Sequence, residues 1–489
     1  MTRPRRGMGS RFLTGALAIL CLGTTPLKAQ ENQEEDPVED PVMTIIRERV
    51  DAHRQSMGMV VGIIRGYGRE THAYGTLNSK DIRKVSNATV FEVGAISGVM
   101  TGSLLAQMVE AADVSLSDPV SRFLPTHVRM PTWNGEEITL GNLATHTSGL
   151  PDFPDSLAMA DSLNPQAALD AEQLYRFLSS STLNREIGTE YEYSELGMAL
   201  LGHALSLMAE KPLDELIHER LFGLLKMTNT HVIPTPGMSA QTSEGHDRLR
   251  RPVEATPIPD LPGAKGMLST AHDLNIFVSA AMGFIYAFPM LPEDDKSDSV
   301  TIAAAFETAN RPLYPTGREN EEISLGWLVQ TDGERIIHWK RGMTRGFSAF
   351  IGFNKKRRRG VVVLSNTSIP VDDIGFHILK PGYPLNTPPK PPRAFISPVT
   401  LEAYAGLYEF EPGLSVSIVK DGSRLYGRPP GLDRNELIPR SDQEFYILEE
   451  DAQVTFVANE TGEITHLLFL KDGETHRANR VSTEDSLPQ

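Results

Sequence analysis

Apolar and polar residues change rhythm several times along this chain. The run "GMVVGIIRG", followed by "ETHAYG", reads as two strands joined by a glycine-marked turn. In "ISGVMTGSLLAQMVEAA" the apolar Val99, Leu104, Leu105 and Met108 recur at helical spacing, which predicts a helix packed in a core. Further helical stretches follow at "LGMALLGHALSLMAE" and "PLDELIHERLFGLL", and strand-like runs return at "SLGWLVQ", "SAFIGFN" and "GVVVLSN". Strands, then helices, then strands of the same sheet predict an α+β, mixed α/β fold: an antiparallel sheet flanked by helices, with a mainly helical subdomain. After the proline-rich "KPGYPLNTPPKPPRAFISP" the runs become short and alternating, as in "LSVSIVKDGSRLYG", "EFYILEE" and "QVTFVANETGEITHLLFL", with turn signals at "KDGS" and "NETGE". That second pattern predicts a small antiparallel β domain.

With 489 residues there is room for one large domain and a smaller one. The expected boundaries are a signal peptide over 1–29, an acidic disordered leader over 30–41, the main domain over 42–380, a linker over 381–398 and the small β domain over 399–482. The first segment carries the basic "MTRPRRGMGSRF", the short apolar "LTGALAILCLG" and the small Ala29 in "PLKAQ", the three parts of a secretory signal. An exported protein, periplasmic or secreted, is the resulting expectation. Arg5-Arg6 fits twin-arginine export poorly because the residues after the pair do not suit such a signal, and the bulky Leu20 before Cys21 fits lipoprotein processing poorly. Cys21 is the only cysteine, so a mature chain has no disulfide and its stability must come from the core. No later apolar run is long enough to span a bilayer. A net charge of −16 argues against nucleic acid as a partner for the whole surface. No cluster has metal-ligand spacing and no glycine loop would cradle a phosphate, so no metal or cofactor is expected.

Seven stretches, in order and at fitting spacing over residues 42–370, carry a resemblance: "FEVGAISGVMTGSLLAQMVE", "DPVSRFLP", "ITLGNLATHTSGLP", "GTEYEYSELGMALLGHAL", "LLKMTNT", "GMLSTAHDL" and "GMTRGFSAFIGF...GVVVLSN". The chain resembles the serine β-lactamase and penicillin-binding-protein superfamily, in its class C and esterase-like branch. That family's chemistry uses three motifs. The first is Ser-x-x-Lys at the start of a buried helix, where the amine takes the hydroxyl proton. Aligned on "FEVG", the serine position holds Ala95 and the lysine position Gly98. A methyl group cannot attack a carbonyl, and a hydrogen cannot accept a proton. The second motif, Tyr-x-Asn, corresponds to Tyr193 and Glu195. The third, Lys-Thr-Gly or His-x-Gly on a strand edging the cleft, corresponds to Lys340, Arg341 and Gly342. The resemblance implies an oxyanion hole built from the backbone N–H groups of Ala95 and Met343. It also implies a cleft whose Tyr193, Lys340, Arg341 and Arg345 hold a carboxylate or polarised carbonyl.

On charge alone, Glu195 and Lys340 are expected to pair across the cleft, since an unpaired buried charge is costly. Ser97 stands two residues beyond Ala95, roughly 200° around a helix, and reads as a packing serine. His146 reads as structural. His338, two residues before Lys340, shares its strand face and reads as a packing or edge histidine. "KKRRRG", Lys355 to Gly360, reads as a solvated hairpin turn. Two functions remain in competition. One is a non-catalytic exported protein that binds a carboxylate or peptide ligand, such as a peptidoglycan peptide, in the old cleft. The other is an active serine hydrolase of esterase, DD-peptidase or β-lactamase type with a rearranged nucleophile.

Overall fold

The computed structural model describes residues 40–481 except 79–82, 154–168, 285–295, 387–393, 412–413, 431–433, 448–451 and 472–473. The expected signal peptide, most of the acidic leader and the middle of the linker lie outside the described residues.

The continuous apolar strands form the centre of an eight-stranded antiparallel sheet. The strands are β1 (Gly58–Arg65), β2 (Gly68–Gly75), β7 (Tyr314–Pro315), β8 (Glu321–Ile323), β9 (Leu328–Asp332), β10 (Arg335–Met343), β11 (Ser348–Asn354) and β12 (Arg359–Ser365), in the order β2-β1-β12-β11-β10-β9-β8-β7. Two short pairs stand apart: β3 (Val90–Glu92) with β6 (Leu268–Thr270), and β4 (Thr132–Trp133) with β5 (Glu136–Glu137). A strand buried on both faces reads as an unbroken apolar run. The sheet obeys this: Val60, Ile64, Val362 and Leu364 face one core, while Met59, Val61, Ile63, Val361 and Val363 face another.

The larger core lies between the sheet and the helices Ile96–Glu110, Glu195–Ala209 and Ala271–Ala281. Thirteen of the fifteen residues of Ile96–Glu110 are buried, so this helix shows no amphipathic stripe. The second core packs the helices Pro41–Arg47 and Asp372–Leu379 against the other face. Pro41–Arg47 begins on the last residue of the expected leader and otherwise lies within the expected main domain.

The C-terminal runs make a closed eight-stranded barrel, each strand antiparallel to its neighbours. Its strands are β13 (Gly406–Glu411), β14 (Leu414–Asp421), β15 (Arg424–Arg428), β16 (Asn435–Pro439), β17 (Glu444–Ile447), β18 (Ala452–Ala458), β19 (Ile464–Lys471) and β20 (Glu474–Arg480). A helix, Pro398–Tyr404, precedes them. Closure leaves no free strand edge, which a small β domain must otherwise protect.

Candidate functional site

The site begins where strand β10 meets the start of helix Ile96–Glu110. Gly342 lies so close to that turn that a Cβ there would sit 1.9 Å from the Val93 carbonyl oxygen. Gly94, at φ +52°, also lies close to Met343: a Cβ there would be 2.7 Å from the Met343 nitrogen. Glycine is required at both places, by contact at Gly342 and by contact and a left-handed backbone at Gly94. Thr344 N–H donates to Phe347 O at 3.0 Å. In an antiparallel ladder bonded and unbonded pairs alternate. The Met343–Ser348 pair is therefore unbonded, and Met343 turns its N–H away from β11, on the side where Gly94 lies. Ala95 immediately precedes the helix, whose N-terminal dipole end favours negative charge.

Strand alternation sorts the basic residues. Lys340 is 5% exposed, and its ammonium lies over the Tyr193 ring, 5.1 Å from the centroid. Burial pulls its pKa down to about 8, against the opposing pull of Glu195 and Glu321. Among the described residues no carboxylate lies within 4.0 Å of the Lys340 amine and none accepts a hydrogen bond from it. The expected Glu195–Lys340 ion pair is thus not formed. Glu195 instead pairs with Lys265. Burial still raises the Glu195 pKa, outweighing the Lys265 charge beside it. Arg341, the next residue on β10, projects to the other face and pairs with Asp372 in helix Asp372–Leu379. It is therefore not on the cleft side, contrary to the expectation that it would help hold a ligand. Arg345 is exposed and lines the cavity that adjoins this centre.

The other expected residues fall into place around this centre. Ser194 caps helix Glu195–Ala209, its Oγ accepting from Gly197 N–H at 2.8 Å and donating to Pro151 O at 2.6 Å. That cap fixes Tyr193 and Glu195 on either side, and Asp152 Oδ1 accepts the Glu195 N–H at 2.9 Å. Burial raises the Tyr193 hydroxyl pKa well above the usual tyrosine value, with the Glu195 and Asp152 charges adding to it. His146 packs against Tyr193 with the rings tilted at 47° and their centroids 4.7 Å apart, and its Nδ1 accepts Ser194 N–H at 3.2 Å. Burial and the nearby Lys340 hold the imidazole neutral. Ser97 is spoken for: its Oγ donates to Gly94 O at 2.8 Å and accepts Met267 N–H at 3.2 Å. His338 stacks flat on Phe353 at 4.7 Å and bonds Asn310 O through Nε2. Over Gly98 lies Met198, whose Cε would be 3.5 Å from a Cβ at that position. In the basic hairpin Lys355 pairs with Glu307 and Lys356 with Glu334.

Lys265 is the residue that sequence reasoning passed over. It comes to the site because Gly263 lies against Gly202 of helix Glu195–Ala209: a Cβ on Gly263 would be 2.4 Å from Met198 O. The two glycines, in "LLGHAL" and "LPGAKGM", were the only signal, and only the fold shows that they meet. The cleft therefore holds two lysines, not one.

A cavity of about 890 Å³ adjoins this centre. Gly94, Met343, Arg345, Glu195 and Lys265 line one side and the segment 253–259 the other. Glu92 anchors that segment, accepting from Thr256 N–H at 3.0 Å and Thr256 Oγ1 at 2.6 Å. Glu195 and Met343 line the cavity, whereas Tyr193 and Lys340 are not among its lining residues.

The beta-lactamase family matches residues 42–376 of this sequence, more than half of the chain. The chain belongs to the beta-lactamase family. A domain of unknown function, DUF3471, matches residues 390–479, the barrel region. A beta-lactamase of Lysobacter lactamgenus is 26% identical over 336 residues, covering 65% of this chain and 84% of its own. The D-alanyl-D-alanine-carboxypeptidase/endopeptidase AmpH of Escherichia coli K12 is 25% identical over 359 residues, covering 72% and 90%. Among solved structures, a beta-lactamase/D-alanine carboxypeptidase from Pseudomonas syringae superposes with a TM-score of 0.60 at 21% identity, covering 70% of this chain and 98% of that one. A class C beta lactamase from Rhodobacter sphaeroides gives 0.58 at 23%, covering 68% and 95%. At these identities the structural likeness speaks for the beta-lactamase fold, which the sheet and its flanking helices reproduce. Among the described residues no helix is long and apolar enough to cross a membrane.

Proposed function

We propose that this beta-lactamase family member is an exported binding protein that holds a peptide ending in a carboxylate, of the D-alanyl-D-alanine type, without hydrolysing it. The single observation carrying the reading is the buried Lys340 ammonium, which among the described residues has no anionic partner in ion-pair range. A buried cation is strongly favoured by an incoming anion. The N–H groups of Ala95 and Met343 and the helix terminus supply the remaining donors for a carboxylate or carbonyl. The loss of turnover rests on Ala95 and Gly98, where the resemblance calls for a nucleophile and its base, and on the fully bonded Ser97. The ligand class follows the names of relatives such as AmpH. Export rests on the basic, apolar and small-residue pattern of 1–29.

The test is intact mass after incubation with a fluorophosphonate and, separately, with a penicillin, both of which modify an activated serine. The expected result is no adduct, together with a rise in melting temperature when a D-alanyl-D-alanine peptide is added. Lys340→Met should abolish that rise. A stable adduct on one residue would overturn the binding-only reading in favour of a rearranged serine hydrolase, and peptide mapping would name the nucleophile.

A further inference from the structure

The C-terminal barrel is filled differently in its two halves. At one end Tyr408, Leu425, Phe445, Phe456 and Ala478 are each no more than 1% exposed. Tyr404 stacks on Phe456 at 4.3 Å, and Phe445 meets Phe456 edge-on at 5.3 Å. Helix Pro398–Tyr404 closes this end: Tyr404 OH donates to Asp442 O at 2.5 Å, and Tyr408 OH donates to Tyr404 O at 2.9 Å. Eight strands leave an interior that side chains can just fill, or that can hold one small ligand. Here aromatic rings fill half of it.

The other half is a cavity of about 560 Å³. Strand alternation turns Val416, Ile418, Leu437, Val454, Leu467 and Phe469 onto its wall. Ile418, Leu437, Val454 and Leu467 are at most 4% exposed, so the wall is a true interior surface. The cavity reaches the surface beside Leu414, which is 59% exposed, and His476. Among the described residues its polar lining is Ser415, Asn435, Thr475, His476 and Arg477; alternation turns His476, opposite Phe469, toward the interior and its neighbour Arg477 to the outer face. His476 has Glu474 3.8 Å away, and Arg477 Nε donates to Asn479 Oδ1 at 3.0 Å. An apolar interior of this size with a few polar groups at one end is the usual form of a small-molecule site. An eight-stranded barrel has room for one small ligand, and a slim chain suits its bore.

We propose that the barrel binds a single-chain amphiphile of fatty-acid type, its tail among Val416, Leu467 and Phe469 and its carboxylate at the mouth beside His476. This site is separate from the cleft and does not depend on the function proposed for the cleft.

The experiment uses the full chain and cis-parinaric acid, a fluorescent fatty acid, with palmitate as competitor. Saturable binding that palmitate displaces is expected. Val416→Trp, which fills the half-buried wall, should weaken it at least tenfold while Lys340→Met leaves it unchanged. As a check that does not load the interior, Leu414→Trp places an indole on the exposed rim. The three native tryptophans, Trp133, Trp327 and Trp339, all lie outside the barrel, so an added gain in energy transfer to parinarate would locate the probe. Absence of saturable binding would overturn the proposal. So would binding that survives Val416→Trp in a folded protein with no added transfer from Leu414→Trp, or binding lost with Lys340→Met alone, which would place the probe in the cleft.

Discussion

Two places in this protein bring a lysine to the cleft, and in both a glycine lies pressed against backbone. Gly342 meets the Val93 carbonyl and sets β10, with Lys340, against the start of helix Ile96–Glu110. Gly263 meets Gly202 and the Met198 carbonyl and sets Lys265 over Glu195. The steric device is the same, and the electrostatic outcome is opposite. Lys265, 30% exposed, is paired. Lys340 is buried over an aromatic face, and among the described residues it has no ion-pair partner. The contrast shows that backbone contact fixes where a group sits, independently of whether its charge is answered. A frame of this kind keeps its N–H donors when the side chains around it change.

The largest effect should come from breaking the frame. Gly342→Ala forces a methyl to 1.9 Å from a carbonyl oxygen, and backbone cannot yield as a side chain can. We expect a loss of about 3–5 kcal/mol in denaturant unfolding. Gly98→Ala is the contrasting case. Its nearest neighbours would be 3.5 Å or more away, and replacing a helix glycine by alanine removes a cost of about 1 kcal/mol. Gly98→Ala should therefore be neutral or slightly stabilising. Equal losses at both positions would mean that the first is not a matter of contact.

How much of this could be read from the chain depends on the range of the signal. The sheet strands were legible because "GVVVLSN" and "GMVVGIIRG" are buried on both faces and so are apolar throughout. The core helix was legible from its apolar spacing, and the neighbourhood of Tyr193, Glu195 and Lys340 from motif order. The partner of Glu195 was not, because its choice of Lys265 depends on a Gly202–Gly263 contact between segments far apart in sequence. The side taken by Arg341 was legible in principle: it follows Lys340 on a strand, so alternation alone sends it to the opposite face. Closure of the barrel was hidden for a different reason. The β13–β20 pairing that completes it joins the first and last strands, and no local pattern announces such a contact.

The next effect sharpens the contrast between the lysines. At Lys340 the folded pKa, about 8, lies below the ordinary lysine value of 10.5. Between those two values the unfolded chain holds a proton that the folded one has released. Stability contributed by this residue therefore rises with pH from about 8 to 10, and below pH 8 the buried charge is a constant cost. Lys340→Met should stabilise the protein by about 2 kcal/mol at pH 7, taking each pKa unit as about 1.4 kcal/mol and allowing for relaxation around the charge. Chemical denaturation of both proteins across pH 7–10 checks this. The gap between them should narrow as pH climbs, and a gap independent of pH would show that Lys340 is not destabilised by its burial.

The smallest effect belongs to the paired lysine. Had Glu195 answered Lys340, removing its charge would strand a buried cation, at a cost of several kcal/mol. Since Glu195 answers Lys265 instead, Glu195→Gln leaves the uncompensated ammonium where water reaches it. Partly exposed pairs contribute little once solvent screening is counted, and burial already opposes the Glu195 charge. We expect a change of no more than about 1 kcal/mol, of either sign. The same substitution made in Lys265→Met should change little further, because the two act as one pair. A double-mutant cycle with Lys340→Met is the decisive companion. Strong coupling of Glu195 to Lys340, and weak coupling to Lys265, would mean that in solution the carboxylate turns from one lysine to the other, and the contrast between the two regions would fall with it.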